Sequence, residues 1–126
     1  MEKKIKKLKN LLLECKRISI VTHLNPDGDA IGSSLALNHY FKSLNLISNV
    51  ITPNRHPSFL DWVPGINDII ICDEYTEKSY KIIADSDLIF TMDFNSLDRC
   101  GEISNNINKD NQKIVMIDHH QLPEDY

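Results

Sequence analysis

The sequence predicts an α/β fold: a three-layer α/β/α arrangement around a parallel, five-stranded, Rossmann-like sheet. Three observations lead there. Five short β-branched or apolar runs alternate with stretches of helical period, the pattern of right-handed βαβ crossovers. The runs are nearly continuously apolar, as expected where both faces of a parallel sheet are covered. Polar residues of metal-ligand type follow three of the runs, at the strand ends where doubly wound sheets bind ligands.

Met1 to about Glu14 opens the chain with Ile5, Leu8 and Leu12 at helical spacing and lysines between them. Its basic side reads as a surface for nucleic acid or an anionic membrane, or more simply as the solvated face of a first helix. The second reading is preferred, because the stretch is short and lacks aromatic anchors. Arg17–Thr22 (RISIVT) is a strand by its β-branched content. Asp29 to about Leu44 carries Ile31, Leu35, Leu37, Tyr40, Phe41 and Leu44, a helical set. Leu46–Thr52 is a second strand, and Pro53–Gly65 (PNRHPSFLDWVPG) is irregular. Asp68–Cys72 is a short third strand, Thr76–Ala84 a helix and Asp87–Met92 (DLIFTM) a fourth strand. Leu97–Ile107 is weakly helical and Lys113–Ile117 is the fifth strand.

A chain of 126 residues with 41% hydrophobic and 25% charged residues makes one ordinary globular domain. No apolar run approaches the roughly 18 residues of a membrane span, and no signal peptide precedes the first strand, so a cytoplasmic protein is expected. Cys15, Cys72 and Cys100 lack C-x-x-C spacing and read as reduced thiols. Residues 1–17 hold seven Lys or Arg and two Glu, a net +5 that leaves −9 on the other 109 residues of a chain whose total is −4. A protein that gripped nucleic acid directly by its phosphates would show the opposite balance. An acidic body suits one that binds cations first and phosphate through them.

The first strand runs into His23, Asp27 and Asp29, the fourth into Asp93, and the fifth into Asp118, His119 and His120. For these to meet, strands one, four and five must be neighbours, which favours the order 3-2-1-4-5. Imidazole and carboxylate together suit hard and borderline metal ions, and such ions activate water against phosphoesters. Each residue also has a structural reading. Asp29 alone reads as a helix cap, Asp27-Gly28 alone as a turn, and a lone histidine as a packed one. The alignment of three strand ends argues against all of these at once. His39 falls within a helix and reads as structural, while His56 is undecided. Pro26 stiffens the first loop and Gly28 lets it turn. Gly32-Ser33-Ser34 leaves room near a helix N-terminus, whose partial positive charge favours phosphate.

These segments resemble the DHH phosphoesterase family. THLNPDGDAIGSSLAL is similar to its first motif, Asp93 within MDFNSLDRCG to its second, and IDHH to its third. The Phe-Leu-x-Trp-x-Pro-Gly core of Pro53–Gly65 is similar to the RecJ-like branch that contains the bifunctional oligoribonuclease and PAP phosphatase (nano-RNase) proteins. The resemblance runs from about residue 5 to residue 126. It implies a two-ion centre, usually Mn²⁺, with Mg²⁺ or Co²⁺ as alternatives. In it His23 and Asp27 hold one ion, Asp29 and His119 the other, and Asp93 bridges. Asp118 would orient its neighbours, and His120 would face the phosphate as hydrogen-bond donor or general acid. Arg99 is a candidate phosphate contact, or else a surface arginine. The implied activity is hydrolysis of short oligoribonucleotides, 3′-phosphoadenosine 5′-phosphate, or both, with short RNA or a small nucleotide as partner and no membrane. The family's fourth metal-binding aspartate and its second, substrate-binding domain fall outside the sequence. Residues 1–126 are therefore expected to be an N-terminal domain incomplete at its C-terminal end. Two alternatives stand beside this reading: a family II inorganic pyrophosphatase, and a non-catalytic fragment that binds metal or nucleotide.

Overall fold

All five strands run parallel, in the order β3-β2-β1-β4-β5. The computed structural model describes residues 1–94 and 96–119. Its elements are α1 (Glu2–Glu14), β1 (Arg17–Thr22), α2 (Gly28–Ser43), β2 (Ile47–Thr52), β3 (Ile70–Ile71), α3 (Thr76–Ala84), β4 (Leu88–Met92) and β5 (Lys113–Ile117), with 3-10 segments at Ser58–Leu60, Ile66–Asp68 and Leu97–Asn106. The order is the one required for the ligand-type strand ends to converge.

The period of two along each strand divides the core into two layers. Ile18 and Ile20 of β1, Val50 of β2 and Leu88, Phe90 and Met92 of β4 pack with Ile31, Leu35 and Phe41 of α2, and Leu8 and Leu12 of α1 lie against the same cluster. On the opposite face Val21, Ile51 and Ile89 pack with Ile83 of α3 and with Cys100 and Ile103 of the 97–106 segment. Both faces of β1 and β4 are thus covered, as continuous apolar strands demand. Two sets of buried polar groups are paired: Ser19 Oγ lies 2.6 Å from Ser86 Oγ, and Gln112 Nε2 donates to the carbonyls of Ile83 (2.6 Å) and Ser86 (3.0 Å).

Several expectations are corrected. The second helix begins at Gly28, one residue before Asp29, because Asp27 caps it. The third strand shrinks to Ile70–Ile71, since Ile66–Asp68 closes a 3-10 turn in which Asp68 N–H donates to Gly65 O. The second and fourth strands each begin one residue later than expected, at Ile47 and Leu88. Leu97–Asn106 is 3-10 and not α, broken at Gly101 (φ 63°, ψ −140°), a conformation glycine tolerates. Among the described residues the fifth strand lies at the edge of the sheet and is not covered on both faces: Met116 is 37% and Ile117 43% exposed. His39 packs in α2 against Gly65; with Gly65 at φ 85°, a Cβ there would sit 2.9 Å from His39 Nε2. His56 is buried in the loop after β2, with Nε2 2.9 Å from Asp61 Oδ1. Among the described residues no helix is long and apolar enough to cross a membrane. Cys15, Cys72 and Cys100 are free and buried, and burial pushes the Cys100 thiol up to about 12.

The two central strands are registered at their amino ends by Asp87, whose Oδ2 accepts from the N–H groups of Lys16 (2.9 Å) and Arg17 (3.0 Å). These bonds, Lys16 first, hold the carboxyl below its ordinary value. A depressed folded pKa means stability that is present above the unfolded value and lost as pH falls through the folded one. Asp87→Ala is therefore expected to lower stability at pH 7 by at most about 1 kcal/mol, because the carboxylate is exposed and screened. Urea denaturation of both proteins should show that gap narrowing below about pH 4. A gap that stays constant down to pH 3 would contradict the assignment.

Candidate metal centre

The sheet register sets the site. Thr22 of β1 is level with Met92 of β4, and Met92 with Ile117 of β5. His23, Asp93 and Asp118, the next residue of each strand, therefore leave the sheet side by side at its carboxyl edge. Asp93 turns out of β4 with φ 63°, a left-handed conformation that Asp adopts more readily than most residues. Its N–H still donates to Ile117 O at 2.9 Å, so the turn is tied to β5. The Asp93 side chain is 5% exposed.

His23 is buried, and its Nδ1 lies 2.7 Å from Leu24 O. With the ring proton on Nδ1 donated to that carbonyl, Nε2 presents its lone pair to the carboxylates. Nε2 is 3.8 Å from Asp27 Oδ1 and 3.7 Å from Asp93 Oδ2. On the other side of Asp93, His119 Nε2 lies 2.8 Å from Asp93 Oδ1 and 3.9 Å from Asp29 Oδ2. Two groups result, His23–Asp27–Asp93 and Asp29–Asp93–His119, each with one ligand atom per residue within 4.8 Å of the others. Asp93 belongs to both and offers a different oxygen to each imidazole.

The two groups differ in depth. His23 and Asp93 are buried, whereas His119 and Asp29 are 69% and 77% exposed. The outer pair opens on a cavity of about 420 Å³, also lined by Ser33, Met92 and Asp118. Asp27 Oδ1 accepts from Ala30 N–H at 3.0 Å as the cap of α2. That bond, with His23 adding a smaller effect, holds its carboxyl below the ordinary value. Three carboxylates and two imidazoles meet here, a donor set suited to divalent cations.

The structure thus brings together His23, Asp27, Asp29, Asp93 and His119. Asp118 is half-buried at the cavity wall. Arg99 is exposed on the 97–106 segment, and the site uses its backbone: Leu24 N–H donates to Arg99 O at 2.6 Å. His120 lies outside the described residues. Ser33, read from sequence only as a small residue near the helix start, donates its hydroxyl to Asp29 O at 2.6 Å, and sequence reasoning missed the pairing of Asn25 with Asn54. A visible signal existed for Asn25, since Asn is among the residues that tolerate the positive φ it adopts (56°). Nothing local pointed to Asn54.

A family model described as "DHH family, N-terminal domain" matches residues 17–126. Among solved structures, the chain is similar to an exopolyphosphatase-related protein from Bacteroides fragilis, with 43% identity and a TM-score of 0.95. That match covers 99% of this chain and 37% of the other, so the chain spans little more than a third of its relative's length.

The double position of Asp27 can be separated experimentally. Asn is as good a helix cap as Asp, whereas Ala is not. Thermal denaturation without added metal is expected to show Asp27→Ala less stable by about 1 kcal/mol and Asp27→Asn close to wild type. Equal losses would show that charge at this position, and not capping, supports α2.

Proposed function

The chain belongs to the DHH family, and from that membership we propose that it is the catalytic N-terminal domain of a metal-dependent phosphoesterase. Its proposed substrates are short oligoribonucleotides and 3′-phosphoadenosine 5′-phosphate. The observation that carries this reading is the sharing of Asp93 between two imidazole–carboxylate groups. Hydrolysis by paired ions needs two adjacent cation positions, about 3.5–4 Å apart, with a common ligand between them.

The donor set fits such a pair. Oxygen and imidazole ligands suit Mn²⁺, with Mg²⁺ and Co²⁺ as alternatives, and three carboxylates largely balance two divalent charges. His23 and Asp27 would hold one ion, Asp29 and His119 the other, and Asp93 both. When bound, the ions supply Lewis acidity toward a phosphoryl group and make water a competent nucleophile at neutral pH. The protein's own part is orientation. The Leu24 carbonyl keeps His23 in one tautomer, and the capped start of α2 carries Asp27 as its cap and Asp29 at the cavity wall. Asp118 would orient the ligands beside it, and His120 would face the phosphate as hydrogen-bond donor or general acid. Arg99 remains a proposed phosphate contact through its exposed guanidinium.

The length of the relative supports a second, substrate-binding domain in the whole protein. Nucleotide substrates and three free cysteines accord with a cytoplasmic location. A second reading is favoured by the relative's description as exopolyphosphatase-related: the scissile bond would then be a phosphoanhydride, in polyphosphate or pyrophosphate.

The native protein at its full length, assayed with Mn²⁺ against di- and trinucleotides, 3′-phosphoadenosine 5′-phosphate, pyrophosphate and polyphosphate, separates these. Hydrolysis of the first two classes is expected. Phosphate release from the last two alone would move the assignment to a phosphoanhydride hydrolase, and no hydrolysis with metal bound would contradict both readings. Asp93→Asn, which keeps a residue suited to the left-handed turn, is expected to fold normally by circular dichroism and to lose both activity and Mn²⁺ binding. Retained binding of two ions by that variant would remove Asp93 from the shared position.

A further inference from the structure

The loop that carries His23 and Asp27 is held to β1 at its first residue, where the Thr22 hydroxyl donates to His23 O at 3.2 Å. It reverses direction at Asn25 (φ 56°) and Pro26 before α2 begins. Two clamps fix that reversal. Leu24 N–H donates to Arg99 O at 2.6 Å. Asn25 N–H donates to Asn54 Oδ1 at 2.7 Å, while Asn54 Nδ2 donates to Asn25 Oδ1, also at 2.7 Å.

We propose that Asn54 is a positioning residue for the inner cation group: its reciprocal amide pair with Asn25 sets the distance between His23 and Asp27. The inference rests on the metal-centre reading above and deepens it. Asn54 follows β2, and its own placement is firm, because the next residue, Arg55, forms a two-pronged ion pair with Glu74 beyond β3 (2.8 and 2.9 Å). The loops after β1, β2 and β3 are thereby tied in series. His23 and Asp27 lie on either side of the clamped residue, so loss of the clamp frees one relative to the other. The outer group does not depend on it. Asp29 lies in the first turn of α2 and His119 follows β5, and the two hydrogen bonds of the pair run between Asn25 and Asn54 themselves. The effect is therefore selective, which separates positioning from a general contribution to folding.

The test is Mn²⁺ titration by calorimetry of the full chain in two backgrounds, each leaving one group complete. In His119→Ala, where the inner group remains, adding Asn54→Ala is expected to weaken Mn²⁺ binding about tenfold, as loss of a supporting hydrogen bond does. In His23→Ala, where the outer group remains, the same addition is expected to change affinity less than twofold. Equal weakening in both backgrounds would overturn the proposal in favour of a general structural role, and no weakening in either would overturn it outright. If wild type binds no Mn²⁺, the metal-centre reading fails and this inference fails with it. If wild type binds and Asn54→Ala has no effect, only this inference fails. Should Asn54→Ala not fold, Asn25→Gly, which keeps the backbone turn and deletes the side-chain bond, is read by the same criteria.

Discussion

A carboxylate buried at the end of a central strand is the constraint on which the rest of this molecule depends. Asp93 is nearly inaccessible, and its two oxygens face two different imidazoles. An ionised carboxylate taken out of water costs several kcal/mol unless opposite charge or hydrogen bonds compensate it. His23 and His119 face it, and two further carboxylates, Asp27 and Asp29, stand close by. Such a cluster is a candidate position for cations.

The fold delivers what the carboxylate needs. Parallel strands end at one edge, and the order β3-β2-β1-β4-β5 puts β4 between the strands that supply His23 and His119. Apolar layers on both faces of β1 and β4 make that edge rigid. Loops attached to it can then hold side chains to a few tenths of an ångström. In the inner group only Asp27 is exposed, whereas Asp29 and His119 of the outer group both open on the cavity.

Much of this was legible before the structure. The strand order followed from one demand, that ligand-type residues after three strands should meet. The alternation of apolar runs with helical periods determined the layers. The misses have local causes. Asp29 read as the cap and Asp27 as a turn residue, and only backbone geometry decides that Asp27 takes the capping role. The 97–106 segment has enough apolar residues for a helix, but Gly101 at positive φ interrupts it. Lys113–Ile117 has the composition of a covered strand and the position of an edge, and position is a tertiary fact. Asn54 lies 29 residues from Asn25, and no pattern in sequence announces a pairing across that separation.

The most direct measurement is electron paramagnetic resonance of the Mn²⁺-loaded protein. A pair of ions sharing Asp93, about 3.5–4 Å apart, gives the broad spectrum of two magnetically coupled Mn²⁺ centres. Asp93→Asn removes that coupling. The sharp six-line spectrum of an isolated ion in wild type, at full metal loading, would contradict a shared carboxylate and with it the two-ion site.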